Sequence, residues 1–301
     1  SSPTKIPTST PTSFPTLLPT ISPTTPAPTN FGCPELETQD FSEYNARLEE
    51  LYTEVSYDGA FNGSDPDRLD ALNFVRDERL CASPTRLVQR YIAALFYFST
   101  NGENWNLKDG LEDWLSPAHE CQWGGLECPD DQIIDEFSLD SSNLSGTIPV
   151  EICKLPLLEI VDLDDNEIGG EIPSNIGECE NLKVLDIDNN QLTGSLPNTL
   201  FELELLRSID LDGNNLTGTL SGEIGRFTKL QYLSLFDNGF TGIIPKSIAK
   251  LEKLQIGYLD GNDLTGTILS SGGICALNFN EFTTDCNAAN EKVTCDCCTN
   301  C

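Results

Sequence analysis

Leu158-Glu-Ile-Val161-Asp-Leu163-Asp-Asp-Asn166-Glu-Ile168-Gly-Gly170-Glu-Ile172-Pro173 decides the fold, because the following residues repeat it: Leu182-Lys-Val-Leu185-Asp-Ile187-Asp-Asn-Asn190-Gln-Leu192-Thr-Gly194-Ser-Leu196-Pro197. The register recurs at Ile134, Leu158, Leu182, Leu206, Leu230 and Leu254, a period of 24. Asn214, Asn238 and Asn262 extend the asparagine column, and Gly146, Gly218, Gly242 and Gly266 the glycine column. Departures are few. Ser142 replaces the first asparagine, Ser221 and Leu269 replace prolines, and Gly257 stands where a strand residue should be apolar.

Each position has a physical role. Alternating apolar residues in the L-x-L portion predict a short strand with its leucines inward and their neighbours on the opposite face. The asparagine can satisfy backbone groups of the neighbouring coil, and the glycine permits a turn other residues resist. One unit cannot bury its apolar face alone, whereas six stacked units share a continuous core. The expectation is an α/β solenoid over residues 133–270.

The flanks read differently. In residues 1–30, Pro3, Pro7, Pro11, Pro15, Pro19 and Pro23 are each followed by threonine: Thr4, Thr8, Thr12, Thr16, Thr20 and Thr24. This predicts an extended polyproline stalk with O-linked sugars on those threonines, reaching roughly 90 Å at about 3.1 Å per residue. Residues 31–132 predict a helical N-terminal region followed by a cysteine cap. Phe41, Tyr44, Leu48, Leu51, Tyr52 and Val55 mark one helix, and Leu69, Leu72, Phe74 and Val75 a second after Asp65-Pro66. Leu87, Tyr91, Ile92, Leu95 and Phe96 mark a third after Ser83-Pro84. Residues 271–301, with six cysteines, predict a disulfide-rich C-terminal cap.

The repeat resembles the plant-specific class of leucine-rich repeats, found in receptor-kinase ectodomains and polygalacturonase inhibitors. Trp114 and the run Cys121-Gln-Trp123-Gly124-Gly125-Leu-Glu-Cys128 are similar to that class's N-terminal cap. The stretch from Asp65 through Tyr91 to Asn101-Gly102 and Trp105, and the ending Cys295-Asp-Cys297-Cys298-Thr-Asn-Cys301, resemble secreted or receptor-like repeat proteins of diatoms and related algae. The resemblance implies a right-handed leucine-rich-repeat superhelix, extracellular placement and a Cys121–Cys128 bridge. It also marks the doubled Asp-x-Asp of the strands as a departure, since the second aspartate is usually serine.

Twelve cysteines and the absence of any methionine, even at position 1, predict a secreted, disulfide-bonded chain processed from a precursor. No apolar run is long enough to span a membrane, and no hydrophobic tail follows the last cysteines. Cys153 and Cys179, on successive outer segments, could bridge, and Cys33 and Cys81 could join each other. Cys275, Cys286, Cys295, Cys297, Cys298 and Cys301 could form three bridges of unknown pairing. A zinc site at the last four is the less favoured alternative in an oxidising compartment. Asn62, Asn143 and Asn215 begin glycosylation sequons.

A net charge of −31 argues against nucleic acid and anionic membrane as partners and favours cations or basic partners. The charge concentrates on the strands' open face: Asp162, Asp186 and Asp210 form one column, and Asp140, Asp164, Asp188, Asp212 and Asp260 the next. At strand spacing of about 4.8 Å, neighbouring carboxylates repel by roughly 1 kcal/mol even at water's dielectric. Calcium bridging them would reverse the sign; a solvated face or a dock for a basic partner are the alternatives. Ser145-Gly-Thr147, Thr193-Gly-Ser195, Thr217-Gly-Thr219 and Thr265-Gly-Thr267 form a hydroxyl array of the ice-binding kind, interrupted by Glu171 and Ile243.

Catalysis has little support. His119 is the single histidine, and no nucleophile motif or metal triad accompanies it. The chain therefore reads first as a structural glycoprotein of a matrix, cell wall or filament, joined to other extracellular proteins or to copies of itself. The second reading is a soluble recognition module binding a protein, peptide or polysaccharide on the concave face.

Overall fold

The structure, a computed structural model, describes residues 42–56, 65–78, 80, 82–107, 113–129 and 132–268, and beyond these 275, 277, 279–285, 293–296, 298 and 299. The Pro-Thr segment, Cys33, Asn62, Cys81, Cys286, Cys297 and Cys301 lie outside the described residues.

Three helices precede the repeats: α1 (Ser42–Val55), α2 (Pro66–Glu78) and α3 (Pro84–Ser99). α2 starts where Asp65 accepts from the Arg68 N–H at 3.2 Å. α3 starts where the Ser83 hydroxyl accepts from the Arg86 N–H and Pro84 occupies the first turn. Its predicted stripe Leu87, Tyr91, Ile92, Leu95 and Phe96 is buried, as are Leu48 and Tyr52 of α1 and Leu72 and Val75 of α2. No helix among the described residues is long and apolar enough to cross a membrane.

Among the described residues the repeats build one long sheet and two shorter flanking sheets. The long sheet contains β1 (Leu126–Glu127), β2 (Glu136–Ser138), β4 (Ile160–Asp162), β6 (Val184–Asp186), β7 (Ser208–Asp210), β9 (Tyr232–Ser234), β11 (Ile256–Tyr258) and β13 (Glu281–Thr283). All pairs are parallel except β1 with β2. Its inner register runs Phe137, Val161, Leu185, Ile209, Leu233, Gly257 and Phe282, buried throughout. A flanking set carries β3 (Ser145–Thr147) on β5 (Glu167–Gly169), and β8 (Thr217–Thr219), β10 (Gly239–Ile243), β12 (Asp263–Ile268) and β14 (Val293–Cys295) side by side.

The segment expected to form the disulfide-rich C-terminal cap also supplies β13, one more strand at the end of the main sheet. It also explains Gly257. A Cβ there would lie 2.7 Å from the Phe282 ring, so the ring fills the volume the missing side chain leaves. Gly125 has a different reason, with φ +83° and a Cβ position 2.5 Å from the Ser138 carbonyl.

The asparagine column is a hydrogen-bond ladder. Asn214 accepts from the Leu192 N–H at 2.9 Å and donates to the carbonyls of Ile187, Leu211 and Asp212. Asn166, Asn190, Asn238 and Asn262 repeat the pattern. Asp285 ends it, accepting from the Gly261 and Asn262 N–H groups at 2.8 and 3.0 Å. Ser142, buried in place of the first asparagine, donates to Asp140's carbonyl. Because Asn214→Ala leaves several buried backbone groups without partners, it is expected to cost about 2–4 kcal/mol. Urea denaturation checks this, and a loss near zero would mean water replaces the amide.

Most outer segments make short 3-10 turns after the proline position. At Ser221, where proline is absent, the hydroxyl accepts from the Glu223 N–H at 3.1 Å and starts the turn instead. Disulfides join Cys121 to Cys128 across the cap, Cys153 to Cys179 between successive outer segments, and Cys295 to Cys298. Cys275 is also disulfide-bonded. The Cys295–Cys298 bond corrects the zinc alternative, because a disulfide sulfur offers no thiolate ligand.

Candidate functional site

Parallel pairing without slippage stacks the open-face residues into columns. The first holds Glu136, Ile160, Val184, Ser208, Tyr232, Ile256 and Glu281; the second holds Ser138, Asp162, Asp186, Asp210, Ser234, Tyr258 and Thr283. Two residues further along each repeat come Asp140, Asp164, Asp188, Asp212, Phe236 and Asp260. The aspartates expected on one face thus do lie side by side over β4, β6 and β7. Asp260 is set apart, beyond Phe236, and accepts from the Thr283 hydroxyl.

This face is acidic at one end and aromatic at the other. Phe236 is 42% exposed. Tyr232 and Tyr258 meet edge to face, with ring centroids 6.1 Å apart, and the Tyr258 hydroxyl donates to Glu281 at 3.0 Å. Ser234 and Tyr232 do more than interrupt the aspartate columns. The Ser234 hydroxyl donates to Asp212 at 3.2 Å, and the Tyr232 hydroxyl bonds Asp210.

Burial and mutual repulsion raise the carboxyls out of their ordinary range. Asp186 is pushed up to about 7, first by burial and then by Asp210, Asp188 and Asp162. Asp188 rises to about 6 from burial, Asp212 and Asp164; Asp210 rises to about 6 chiefly from burial. Asp164 also rises to about 6, through burial and its hydrogen bond with Asp162. One carboxyl oxygen each of Asp162 and Asp186 is buried without a hydrogen-bond partner among the described residues. Near this face Lys183 is engaged by Glu159.

Two carboxylate groups have spacing that a cation could use, Asp186, Asp188 and Asp210, and Asp164, Asp165 and Asp188, each with ligand atoms within 4.8 Å of one another. Asp165 escapes the sequence columns because it belongs to the turn, where φ of +53° swings it beside Asp164. Tyr232 and Tyr258 escape them because the columns were traced by aspartate alone; adding 24 to Ser208 and Ser234 finds both.

Elsewhere, Thr193, Thr217, Thr241 and Thr265 each donate their hydroxyl to the preceding repeat's glycine carbonyl at 3.1–3.2 Å. The hydroxyl hydrogens of these four threonines are therefore used inside the protein. Asn215 is exposed and, with Asn214, Thr217, Asp237, Asn238 and Gly239, lines an open hollow of about 390 Å³. Asn143 is exposed too, and its amide donates to the Asn104 carbonyl at 2.9 Å. His119 starts a short turn by accepting from the Cys121 N–H.

The family described as Leucine rich repeat matches residues 156–216, and a second model of that description matches 229–251. These segments are leucine-rich repeats, and they are similar to those of plant receptor-kinase ectodomains. The Arabidopsis receptor kinase HAESA, solved in complex with the peptide hormone IDA and the co-receptor SERK1, is 30% identical over 60% of this chain and 31% of its own, with a TM-score of 0.53. The ectodomain of GASSHO1/SCHENGEN3 from Arabidopsis thaliana, in complex with CASPARIAN STRIP INTEGRITY FACTOR 2, is 28% identical over 58% of this chain and 24% of its own, with a TM-score of 0.50. A chain of the BIR3–SERK2 complex from Arabidopsis thaliana is 30% identical over 50% of this chain and 80% of its own, with a TM-score of 0.45. The chain thus spans less than a third of the first two of these receptor chains. No curated protein matches it.

Proposed function

We propose that this chain is a non-catalytic extracellular recognition module whose concave sheet binds a protein or peptide. The observation that carries the reading is the composition of that sheet: adjacent strands offer a desolvated carboxylate patch and an exposed aromatic patch on one rigid frame. Such a face suits contact rather than bond-making, since its carboxylates stand on an open sheet and not in a cleft. Support comes from the two receptor structures above, one solved with the peptide hormone IDA and the other with CASPARIAN STRIP INTEGRITY FACTOR 2. The matrix and filament reading rests on the Pro-Thr segment, outside the described residues, and no observation of the repeats favours it.

Extracellular placement is part of the proposal, supported by the disulfides and by the likeness to the GASSHO1/SCHENGEN3 ectodomain. So is glycosylation at Asn62, Asn143 and Asn215 and at Thr4, Thr8, Thr12, Thr16, Thr20 and Thr24. Intact-mass analysis of secreted material should show mass lost on enzymatic removal of N-linked and O-linked sugars; an unmodified mass would refute it.

The functional reading is tested by selecting displayed random peptides on the folded chain. Enriched peptides should lose binding to Ser208→Trp, which blocks the centre of the concave face, and keep it with Thr219→Trp on the flank. Binders indifferent to Ser208→Trp would contradict the proposal.

A further inference from the structure

The concave face also indicates what kind of ligand it takes. Resting on the recognition reading above, we infer that the ligand is a cationic peptide segment: arginine or lysine side chains over Asp186, Asp188 and Asp162, beside an apolar side chain on Phe236 and the Tyr232–Tyr258 pair.

Three observations converge. The carboxylates repel one another, and Lys183, just before β6, is already held by Glu159. One buried oxygen each of Asp162 and Asp186 has no donor among the described residues, and a guanidinium presents several donors in a planar fork that matches carboxylates. Two strands away the surface changes to rings, with Phe236 42% exposed, where an apolar side chain or the face of a guanidinium can rest. From β4 to β11 is four strand spacings, about 19 Å, the reach of roughly six residues of extended peptide.

The alternatives fit less of the face. A neutral sugar could stack on the rings and donate to the oxygens, yet it would leave the carboxylate repulsion in place. A divalent cation on Asp186, Asp188 and Asp210 would relieve the repulsion and leave the aromatic patch without a role, while Asp210 is already bonded by Tyr232. A cationic segment with an apolar residue uses both patches at once.

The test uses three labelled peptides of nine residues, alternating glycine with arginine, glutamine or glutamate, and each ending in phenylalanine. Fluorescence anisotropy should give binding of the arginine peptide about tenfold or more tighter than the glutamine peptide, weakening with salt, and no binding of the glutamate peptide. Asp186→Asn with Asp188→Asn should weaken the arginine peptide about tenfold, and Phe236→Ser several-fold. Glu202→Gln with Glu204→Gln removes the same charge from the outer surface and should change binding less than about twofold. Equal losses from the two pairs would mean attraction to net charge alone and overturn the inference. So would equal binding of the glutamine peptide, or a calcium-induced rise in Tm abolished by the Asp186/Asp188 pair, which assigns the carboxylates to a metal. If displayed peptides sensitive to Ser208→Trp emerge and lack basic residues, the ligand class fails and the recognition reading stands. If none is sensitive, both fail.

Discussion

Arg90→Ala is expected to destabilise the protein by about 3–5 kcal/mol, the loss typical of breaking a buried ion pair from one side. Arg90, fully buried in α3, donates to Glu120 at 2.6 Å and to the Ala118 and Ser116 carbonyls at 2.9 and 2.6 Å. It also pairs with Glu78 of α2, and its guanidinium lies over the rings of Phe74 and Trp123 at 5.3 and 4.8 Å from their centroids. One side chain therefore ties two helices to the segment entering the Cys121–Cys128 cap. Without it, Glu120 stays buried against Gln89 and the longer contact from Arg86 at 3.4 Å. Urea denaturation followed by tryptophan fluorescence measures the loss. Arg86→Ala, at the partly exposed edge, should cost about 1 kcal/mol or less. Equal effects of the two would contradict the assigned role.

The second large effect is on pH dependence. Asp186 titrates near 7 in the folded protein, and Asp164, Asp188 and Asp210 near 6, against an ordinary value of 3.8. A carboxyl raised on folding binds its proton more tightly in the folded state. Stability therefore rises as pH falls from about 7 toward 4, and the repulsion is fully present above that window. A shift of three units would correspond to about 4 kcal/mol without screening. These groups are partly exposed, so about 1–2 kcal/mol for the cluster is the reasonable scale. Asp186→Asn with Asp188→Asn should raise Tm at pH 8 by a few degrees, and flatten the Tm profile between pH 5 and 8. An unchanged profile would show that the carboxylates are well solvated.

The repeat frame was legible because every position is fixed by local geometry: alternation sets the strand, asparagine the ladder, glycine the turn. α3 was legible from its stripe and from Ser83-Pro84. β13 was not. Phe282 pairs with Gly257 at a separation of 25, so the period slips by one residue where cysteines replace the consensus. The Arg90 network was hidden for another reason: its partners are 12 and 30 residues away, and no periodicity connects them. On the concave face the aspartates could be counted from the sequence. Their desolvation could not, nor could the donors that Tyr232 and Ser234 bring to Asp210 and Asp212, because both depend on what the neighbouring strand places beside them.

The central claim is that the concave sheet is the binding surface, and amide hydrogen exchange with a bound, selected peptide tests it most directly. The account predicts slowed exchange across β6, β7, β9 and β11, around Asp186, Asp210, Ser234 and Tyr258, with β8, β10 and β12 unchanged. Protection confined to those flanking strands, or to the outer turns, would contradict it.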